Sequence, residues 1–206
     1  MRTPHRDRRR PGIIALCFVI LALCVPASAL TADYTVLPNG TRYAALVEVA
    51  DADEYFLYDL GILGERIPIQ TDDIEVFNEN GSVAYESSLS GRITFPQGNY
   101  TIRYSGPILD NHLQASFVEP YDIRVHLSEG YDVRNPFLGV VSRGGEVTAE
   151  NGTVTVSWEE TLSMEIRFYD SLREQMLLMF GTLWIALCAI FVMPYLMMRL
   201  RDREEK

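Results

Sequence analysis

The sequence predicts an all-β body, an extracytoplasmic antiparallel β-sandwich, followed by one C-terminal transmembrane helix. Short segments of alternating apolar and polar residues recur about every 8–12 residues between Gly, Pro and Asn, as is typical of sandwiches. The 206-residue chain also has an uncharged apolar run near each end, and its three cysteines all lie in those runs. The body between the runs therefore has no disulfide and needs a substantial apolar core.

The N-terminal run predicts a secretory signal peptide over residues 1–29. Five arginines precede the uncharged segment 13–25, and Pro26-Ala27-Ser28-Ala29 follows it. A basic region, an apolar region of about 7–15 residues and a small-residue end are the three parts of a signal peptide. An uncleaved signal anchor is the alternative, but 13 residues of helix span only about 20 Å of a core of about 30 Å.

A predicted boundary near 105–111 divides the body into two β-sandwich halves, 30–107 and 108–174. The two halves form either one sandwich or two sandwiches that pack together. In segment 121–127, for example, Ile123, Val125 and Leu127 fall on one face of a strand. An amphipathic helix also fits segment 51–63. The predicted strands are 41–50, 55–60, 74–77, 82–86, 92–95, 100–104, 121–127, a short strand at Val147, 153–158 and 164–169.

The C-terminal run predicts a transmembrane helix over residues 175–198. Met176 to Met198 are 23 residues without a charge, and a helix of that length is about 34 Å long, enough to span a bilayer with some tilt. Arginines and the single lysine, Lys206, follow at once in the tail 199–206. Because positive charge stays in the cytoplasm, we expect a plasma-membrane protein with its body outside and its tail inside.

Charge excludes several classes of function. Residues 30–174 contain nine arginines and 24 acidic residues, a net charge of −15, against −10 for the whole chain. A body this acidic is repelled by nucleic acid, so no nucleic-acid partner is expected. The lack of an internal lysine excludes Walker-A nucleotide binding, pyridoxal chemistry and kinase-type phosphoryl transfer. We expect no cofactor.

Two acidic groups are weak candidates for a Ca²⁺ site. Asp51, Asp53 and Glu54 form one group, and Asp72 and Asp73 form the other. Carboxylate oxygens are the ligands that Ca²⁺ prefers, but neither group has EF-hand spacing. Acidic loops on so acidic a body are also explained by simple solvation.

The residues that could support catalysis lack the required arrangement. His112 has Asp110 and Ser116 nearby, which are the residue types of a catalytic triad, but no Gly-x-Ser-x-Gly elbow surrounds the serine. Glu159 and Glu160 are neighbours on a predicted strand and point to opposite faces, so they cannot act together as a glycosidase pair. The sequence therefore predicts no catalytic residue and no enzyme.

Four asparagines lie in N-glycosylation sequons: Asn39, Asn80, Asn99 and Asn151. The composition, seven asparagines with 24 serines and threonines in 206 residues, predicts about 0.8 sequons by chance. The excess favours an exported, glycosylated body. The alternative is that three of them are Asn-Gly turns that run into strands.

Two stretches carry a resemblance to known proteins. The sequence Ser90-Gly-Arg-Ile-Thr-Phe-Pro-Gln-Gly-Asn-Tyr-Thr-Ile-Arg-Tyr104 resembles the late hairpin of carboxypeptidase-regulatory-like and immunoglobulin-like surface domains, with their Pro-x-Gly-x-Tyr-Thr corner. The whole layout, and residues 131–145 with the later Trp158, is similar to uncharacterised membrane-anchored surface proteins of archaea. These resemblances imply a β fold and a surface location and imply no activity.

The first functional hypothesis is a single-pass protein of the cell envelope that presents a non-catalytic β-sandwich for structural or protein-interaction roles. The alternative is an ectodomain that binds Ca²⁺ or a surface glycan, and an exported hydrolase comes third. A tail of eight residues is too short for a signalling domain, so we expect a protein partner in the envelope. The oligomeric state stays open.

Overall fold

The computed structural model describes residues 29–61, 63–150 and 152–204, so the predicted signal peptide lies almost wholly outside the described residues. Strands dominate the body, and one helix follows it. The elements are β1 Leu30–Val36, β2 Arg42–Phe56, β3 Tyr58–Leu60, β4 Arg66–Pro68, β5 Asp72–Asn78, β6 Gly81–Val83, β7 Glu86–Ser87, β8 Arg92–Pro107, β9 His112–Leu127, β10 Tyr131–Asp132, β11 Val140–Val141, β12 Glu146–Glu150, β13 Thr153–Arg167, β14 Tyr169–Asp170 and α1 Ser171–Glu204.

The mostly-β prediction is confirmed, whereas the purely antiparallel arrangement predicted for the body is wrong. Ten strands make one sheet in the order β11-β13-β9-β1-β2-β8-β5-β6, with β12 beside β13 and β7 beside β8. The sheet is mixed, because β1 runs antiparallel to β2 and parallel to β9. The two predicted halves share this sheet, since β1 comes from the first half and β9 from the second.

The parallel pair follows from the path of β9. Ile108 N–H donates to the Thr41 carbonyl oxygen, so the chain enters β9 beside the β1–β2 turn. Its second half begins at the other end of β1, where Tyr121 pairs with Leu30. The first half of β9 must therefore run back along the sheet before the strand bends and joins β1 in the same direction.

The four longest strands, β2, β8, β9 and β13, all bend near the middle, and the sheet thereby folds over its own inner face. The rings of Phe117 and Tyr121 in β9 stack with centroids 4.3 Å apart, and those of Phe95 and Tyr100 in β8 lie 5.0 Å apart. Residues four or five apart in a straight strand are separated by about 13–17 Å. The segment 96–99, predicted as a turn between two strands, is such a bend inside one strand.

The core lies on this folded inner face. Burial alternates along the strands, as period-2 side-chain geometry requires; in β1, for example, Ala32, Tyr34 and Val36 are buried. The predicted face of Ile123, Val125 and Leu127 is confirmed as buried. Trp158 is the largest fully buried side chain among the described residues. The amphipathic helix that also fitted segment 51–63 is wrong for residues 51–60, which continue β2 and form β3.

Helix α1 leaves the body without a linker. Asp170 ends β14, and its Oδ1 accepts a hydrogen bond of 2.8 Å from the backbone N–H of Arg173, which makes it the N-cap. Glu174 in the first turn is favourable at the positive end of the helix dipole. Residues Ser171–Tyr195 form one helix that is long and apolar enough to cross a membrane, and none of its most apolar stretch is buried against the body.

Candidate functional site

The bends of β2 and β9 face each other across a cleft of about 280 Å³, which we call the bend cleft. In β2, Asp51 adopts a left-handed backbone conformation with φ of 49°, which Asp and Asn tolerate better than most residues. Its backbone N–H donates to Asn99 Oδ1 at 2.8 Å, and Gln97 Nε2 donates to Asp51 Oδ1 at 2.9 Å. These bonds tie the bend of β2 to the bend of β8 and hold one wall of the cleft in place.

Aromatic rings and carboxylates line the bend cleft. The stacked pair Phe117 and Tyr121 forms one side, and the Tyr121 hydroxyl donates to the Glu48 carbonyl oxygen at 2.8 Å. Glu54 and Glu119 stand at the cleft, and Glu54 forms an ion pair with Arg92. The remaining lining residues are Leu30, Val49, Ala50, Ala52, Tyr55, Phe56, Tyr58, Ser116 and Val118. Such a lining suits a small ligand with a flat apolar face or a cationic group.

A cluster of tyrosine hydroxyls lies behind the cleft, with Tyr55 and Tyr58 shared between the two. Within it, the Tyr34 and Tyr104 hydroxyl oxygens are 3.2 Å apart, and Tyr55 hydrogen-bonds with Tyr104. Burial raises the pKa of the Tyr34, Tyr55 and Tyr104 hydroxyls well above the usual value of 10.0. All three hydroxyls therefore stay neutral at physiological pH and can donate and accept hydrogen bonds.

Asp59 lies close enough to this tyrosine cluster that, in addition to burial, its charge raises the pKa of the Tyr34, Tyr43 and Tyr104 hydroxyls. Burial raises the pKa of its carboxyl from 3.8 to about 6, and a positive charge on His112 and a hydrogen bond from Gln114 lower it in part. Its Oδ1 is buried and has no hydrogen-bond partner among the described residues. The other side of His112 faces Glu165, whose Oε1 lies 3.0 Å from the ring Nε2. A half-buried carboxyl with a raised pKa changes its protonation closer to neutral pH than an ordinary aspartate does.

The space between the tyrosines and β9 is a cavity of only about 10 Å³. That volume holds about one water molecule and no substrate. The cluster therefore serves to fix the fold behind the bend cleft, and the bend cleft itself is the part that a ligand can reach.

Comparison with known proteins places the whole described part in one family. Residues 29–206 match the model of a family of unknown function, DUF5803. The chain belongs to this family. No curated protein matches it. The DUF5803 match covers both the sheet and helix α1, so the two are one family unit, and it begins at the last residue of the predicted signal peptide.

In this DUF5803 chain the two predicted Ca²⁺ groups lie apart. Asp51 is beside Gly98 and Asn99 of β8, whereas Asp72 pairs with Ser105 of that strand. Seven residues of strand separate these points, or about 23 Å. Asp72 forms an ion pair with Arg42, in which the nitrogen and oxygen atoms are 2.7 Å apart, and Glu54 forms an ion pair with Arg92.

The two groups also have features that do not depend on a metal. Asp73, like Asp51, adopts a left-handed conformation, with φ of 54°, and Asp53 is exposed. Within residues 29–61, 63–150 and 152–204, no three His, Cys, Asp or Glu side chains are arranged to hold a metal ion.

The other predicted residues have ordinary surroundings. His112 and Ser116 are four residues apart on β9, about 13 Å, and His112 faces Glu165 and Asp59 rather than the serine. Glu160 adopts a left-handed conformation at the bend of β13, where its backbone N–H donates to Asp122 Oδ1 at 3.0 Å.

Three sequon asparagines of the DUF5803 body are exposed and lie at turns or bends. Asn39 stands in the β1–β2 turn, Asn80 in the β5–β6 turn and Asn99 in the bend of β8. Asn151 lies outside the described residues. The three exposed side chains have the accessibility that glycan transfer requires, and their use stays a prediction.

Sequence reasoning missed Asp59 and the tyrosines around it. Eleven tyrosines in 206 residues were a usable signal, because a buried tyrosine needs a partner for its hydroxyl. No local pattern marks Asp59, since its burial depends on the return path of β9 across the sheet.

Proposed function

We propose that this chain is a single-pass envelope protein that presents its β body, without catalysis, for structural or protein-interaction roles. The observation that carries the proposal is helix α1, whose apolar stretch has no burial against the body and which begins directly at the Asp170 cap. Apolar side chains exposed along such a length are stable in lipid and costly in water.

The orientation rests on charge. Arg199, Arg201 and Arg203 follow the span, and the body on the other side has a net charge of −15. The positive-inside rule then puts the tail in the cytoplasm and the body outside, in the plasma membrane. A cleaved signal peptide of residues 1–29 agrees with the family match that begins at residue 29. The resemblance of the sequence layout to membrane-anchored surface proteins of archaea agrees with the same location.

A partner-binding role fits the site better than catalysis does. The Asp59 carboxyl has the raised pKa expected of a general acid, but it lies beside the tyrosine cluster, where the cavity holds only about one water molecule. The bend cleft, which is open, contributes aromatic faces and carboxylates rather than a nucleophile with its base. A partner can therefore insert a small cationic or aromatic group there without any reaction.

Cysteine labelling tests the topology. Leu89 in the β7–β8 turn is fully exposed, and Asp202 belongs to the tail. In a background in which Cys17, Cys24 and Cys188 are all replaced by alanine, L89C should react with a membrane-impermeant maleimide on intact cells, and D202C only after permeabilisation. Labelling of D202C on intact cells would contradict the orientation, and release of the protein by alkaline carbonate would contradict the span.

The bend cleft supports a second candidate, an ectodomain that binds a glycan. Its Phe56 and Tyr58 rings are partly exposed and can pack against the apolar face of a sugar, and Glu119 can accept hydrogen bonds from its hydroxyls. Thermal melting with a panel of soluble oligosaccharides tests this role. A ligand should raise the Tm of the parent chain and lose that effect in Glu119→Ala, because ligand binding to the folded state stabilises it. A panel without any effect would end this candidate.

A further inference from the structure

Residues 133–139, which we call the tip loop, project from the body at the base of helix α1. The loop starts after β10, where Tyr131 pairs with Asp170 and Asp132 with Tyr169. It ends at β11, where Val140 pairs with Arg167. Both ends of the tip loop are thus paired with residues 167–170, the segment that directly precedes the helix. The tip loop therefore occupies a set position beside the first turns of α1.

A groove of about 730 Å³ separates the tip loop from the helix. Its polarity changes along the helix axis. Near the body it is lined by Asp132, Arg134 and Glu174, and farther along by Pro136 and Phe137 of the loop. The helix residues on its apolar part are Leu177, Leu178, Gly181, Thr182 and Ile185.

The length of the groove matches one leaflet of a bilayer. From Glu174 to Ile185 is eleven residues, or about 16 Å of helix, and half of a hydrocarbon core is about 15 Å. Thr182, the polar side chain on the apolar part, donates its hydroxyl to the Met179 carbonyl oxygen at 2.8 Å, so that it exposes no unsatisfied donor. With α1 placed across a bilayer, the charged end of the groove falls at headgroup level and the apolar end among the acyl chains.

The backbone N–H groups of the tip loop are satisfied from within the protein. Every backbone N–H from residue 133 to residue 139 has an internal acceptor, and Pro136 has no N–H. The donors and acceptors are Val133 and Arg134 to Asp132 Oδ1, Asn135 to the Tyr169 hydroxyl, Phe137 to Asn135 Oδ1, and Leu138 and Gly139 to the Asn135 carbonyl oxygen, over 2.7–3.1 Å. Irregular backbone in hydrocarbon needs its polar groups paired within the protein, and the N–H groups of the tip loop meet this requirement.

The side chains of the tip loop agree with the backbone. Phe137 is 85% exposed at the tip, whereas Val133 at the base is buried in the core. An aromatic ring held out on a fixed loop beside an apolar helix is the arrangement of an interfacial anchor. Arg134 already binds Asp132 through two nitrogen atoms at 2.6–3.0 Å. This ion pair largely neutralises the charge of Arg134. Together with the net negative charge of the body, it disfavours binding of anionic lipid headgroups.

We propose that the tip loop inserts into the outer leaflet as a second membrane contact, with Phe137 among the lipids and an acyl chain of a zwitterionic lipid filling the groove. The proposal rests on the proposed function, because it requires α1 to span the membrane. Two contacts, the helix and the loop, then fix the tilt of the sheet on the membrane surface.

Fluorescent labels on single cysteines test the insertion. The full chain, with Cys17, Cys24 and Cys188 all replaced by alanine, is reconstituted in phosphatidylcholine vesicles and labelled with bimane at one of three positions. F137C probes the tip loop, L178C probes the span at the level of the groove, and L89C is the matched control, an exposed apolar residue on a loop of the body. Emission wavelength and quenching by lipids with a nitroxide near the headgroup end of the acyl chain are measured.

The label at residue 137 should show a blue-shifted emission and quenching comparable with that at residue 178, and the label at residue 89 neither. Vesicles in which part of the phosphatidylcholine is replaced by phosphatidylglycerol should give no stronger quenching at residue 137. Quenching at 178 without quenching at 137 would overturn the tip-loop proposal alone. Absence of quenching at both would overturn the span, and the proposed function with it.

Discussion

Replacing Asp59 by asparagine should stabilise the body at neutral pH and have no such effect in acid. Burial raises the pKa of this carboxyl from 3.8 to about 6, so the folded protein holds the proton more tightly than the unfolded chain does. Between these pH values the folded state binds more protons, and its stability therefore falls as the pH rises from 3.8 through about 6. An asparagine side chain has no charge to bury, so Asp59→Asn removes this loss.

The size of the effect follows from the shift. One pKa unit corresponds to 1.36 kcal/mol, so the change from 3.8 to about 6 sets a ceiling of about 3 kcal/mol. The carboxyl is half-buried, and solvent screening reduces this to about 1–2 kcal/mol. For a chain of this size, Asp59→Asn should raise the Tm at pH 7.5 by about 3–6 °C relative to the parent.

Thermal melting of the full chain in detergent micelles, followed by the circular dichroism of the strands at pH 4 and pH 7.5, measures this difference. The exposed Asp53, replaced by asparagine in the same way, is the control and should change the Tm equally at the two pH values. A gain for Asp59→Asn that is the same at both pH values would refute the reasoning, because it would show that the folded and unfolded states bind this proton alike.

Three further changes test other parts of the structure. Asp170→Ala removes the N-cap of α1 and should cost about 1 kcal/mol in urea unfolding, and Asp170→Asn should restore most of it. Tyr104→Phe removes the hydroxyl partner of Tyr34 and should lower the free energy of unfolding by about 1–3 kcal/mol. Tyr34→Phe should then cost less in the Tyr104→Phe background than in the parent chain. Additive costs would mean that the two hydroxyls are not coupled. Gly145→Ala puts a methyl group within 2.8 Å of the Trp158 ring. It should lower the free energy of unfolding by about 1–3 kcal/mol and change the tryptophan fluorescence. An unchanged melting temperature would mean that the structure has room for the methyl group.

Much of the fold is local enough to be predicted from the sequence. The alternation in segment 121–127 predicted which side chains are buried, because side-chain period depends only on strand geometry. The apolar run 175–198 likewise predicted the helix, although α1 begins earlier, at Ser171, because the Asp170 side chain caps it there.

β1 was missing from the predicted strands, although it is central in the sheet. Its buried Ala32, Tyr34 and Val36 alternate with Asp33 and Thr35 as clearly as any predicted strand does. The segment adjoins the predicted signal peptide, and the predicted strands begin only after the Asn39-Gly40 turn. The sequence of β1 nevertheless has the alternation that is typical of a half-buried strand.

The bends could not be predicted in the same way. Residues 96–99 contain Pro, Gly and Asn, which favour a turn between two strands and a bulge inside one strand equally. The choice was decided by β2, which pairs with β8 on both sides of the bend. The burial of Asp59 has the same kind of cause, because β9 lies more than 50 residues away in the sequence.

The parallel pairing of β1 with β9 also determines when the body can fold during synthesis. β1 is made first, and its partner on one side, β2, follows at once, but residues 121–126 on its other side emerge about 90 residues later. Contacts this distant in sequence close slowly, because the chain between them must first be ordered. β1 therefore has one unpaired edge while the nascent chain grows. A holding chaperone would need to protect that edge until β9 has been synthesised.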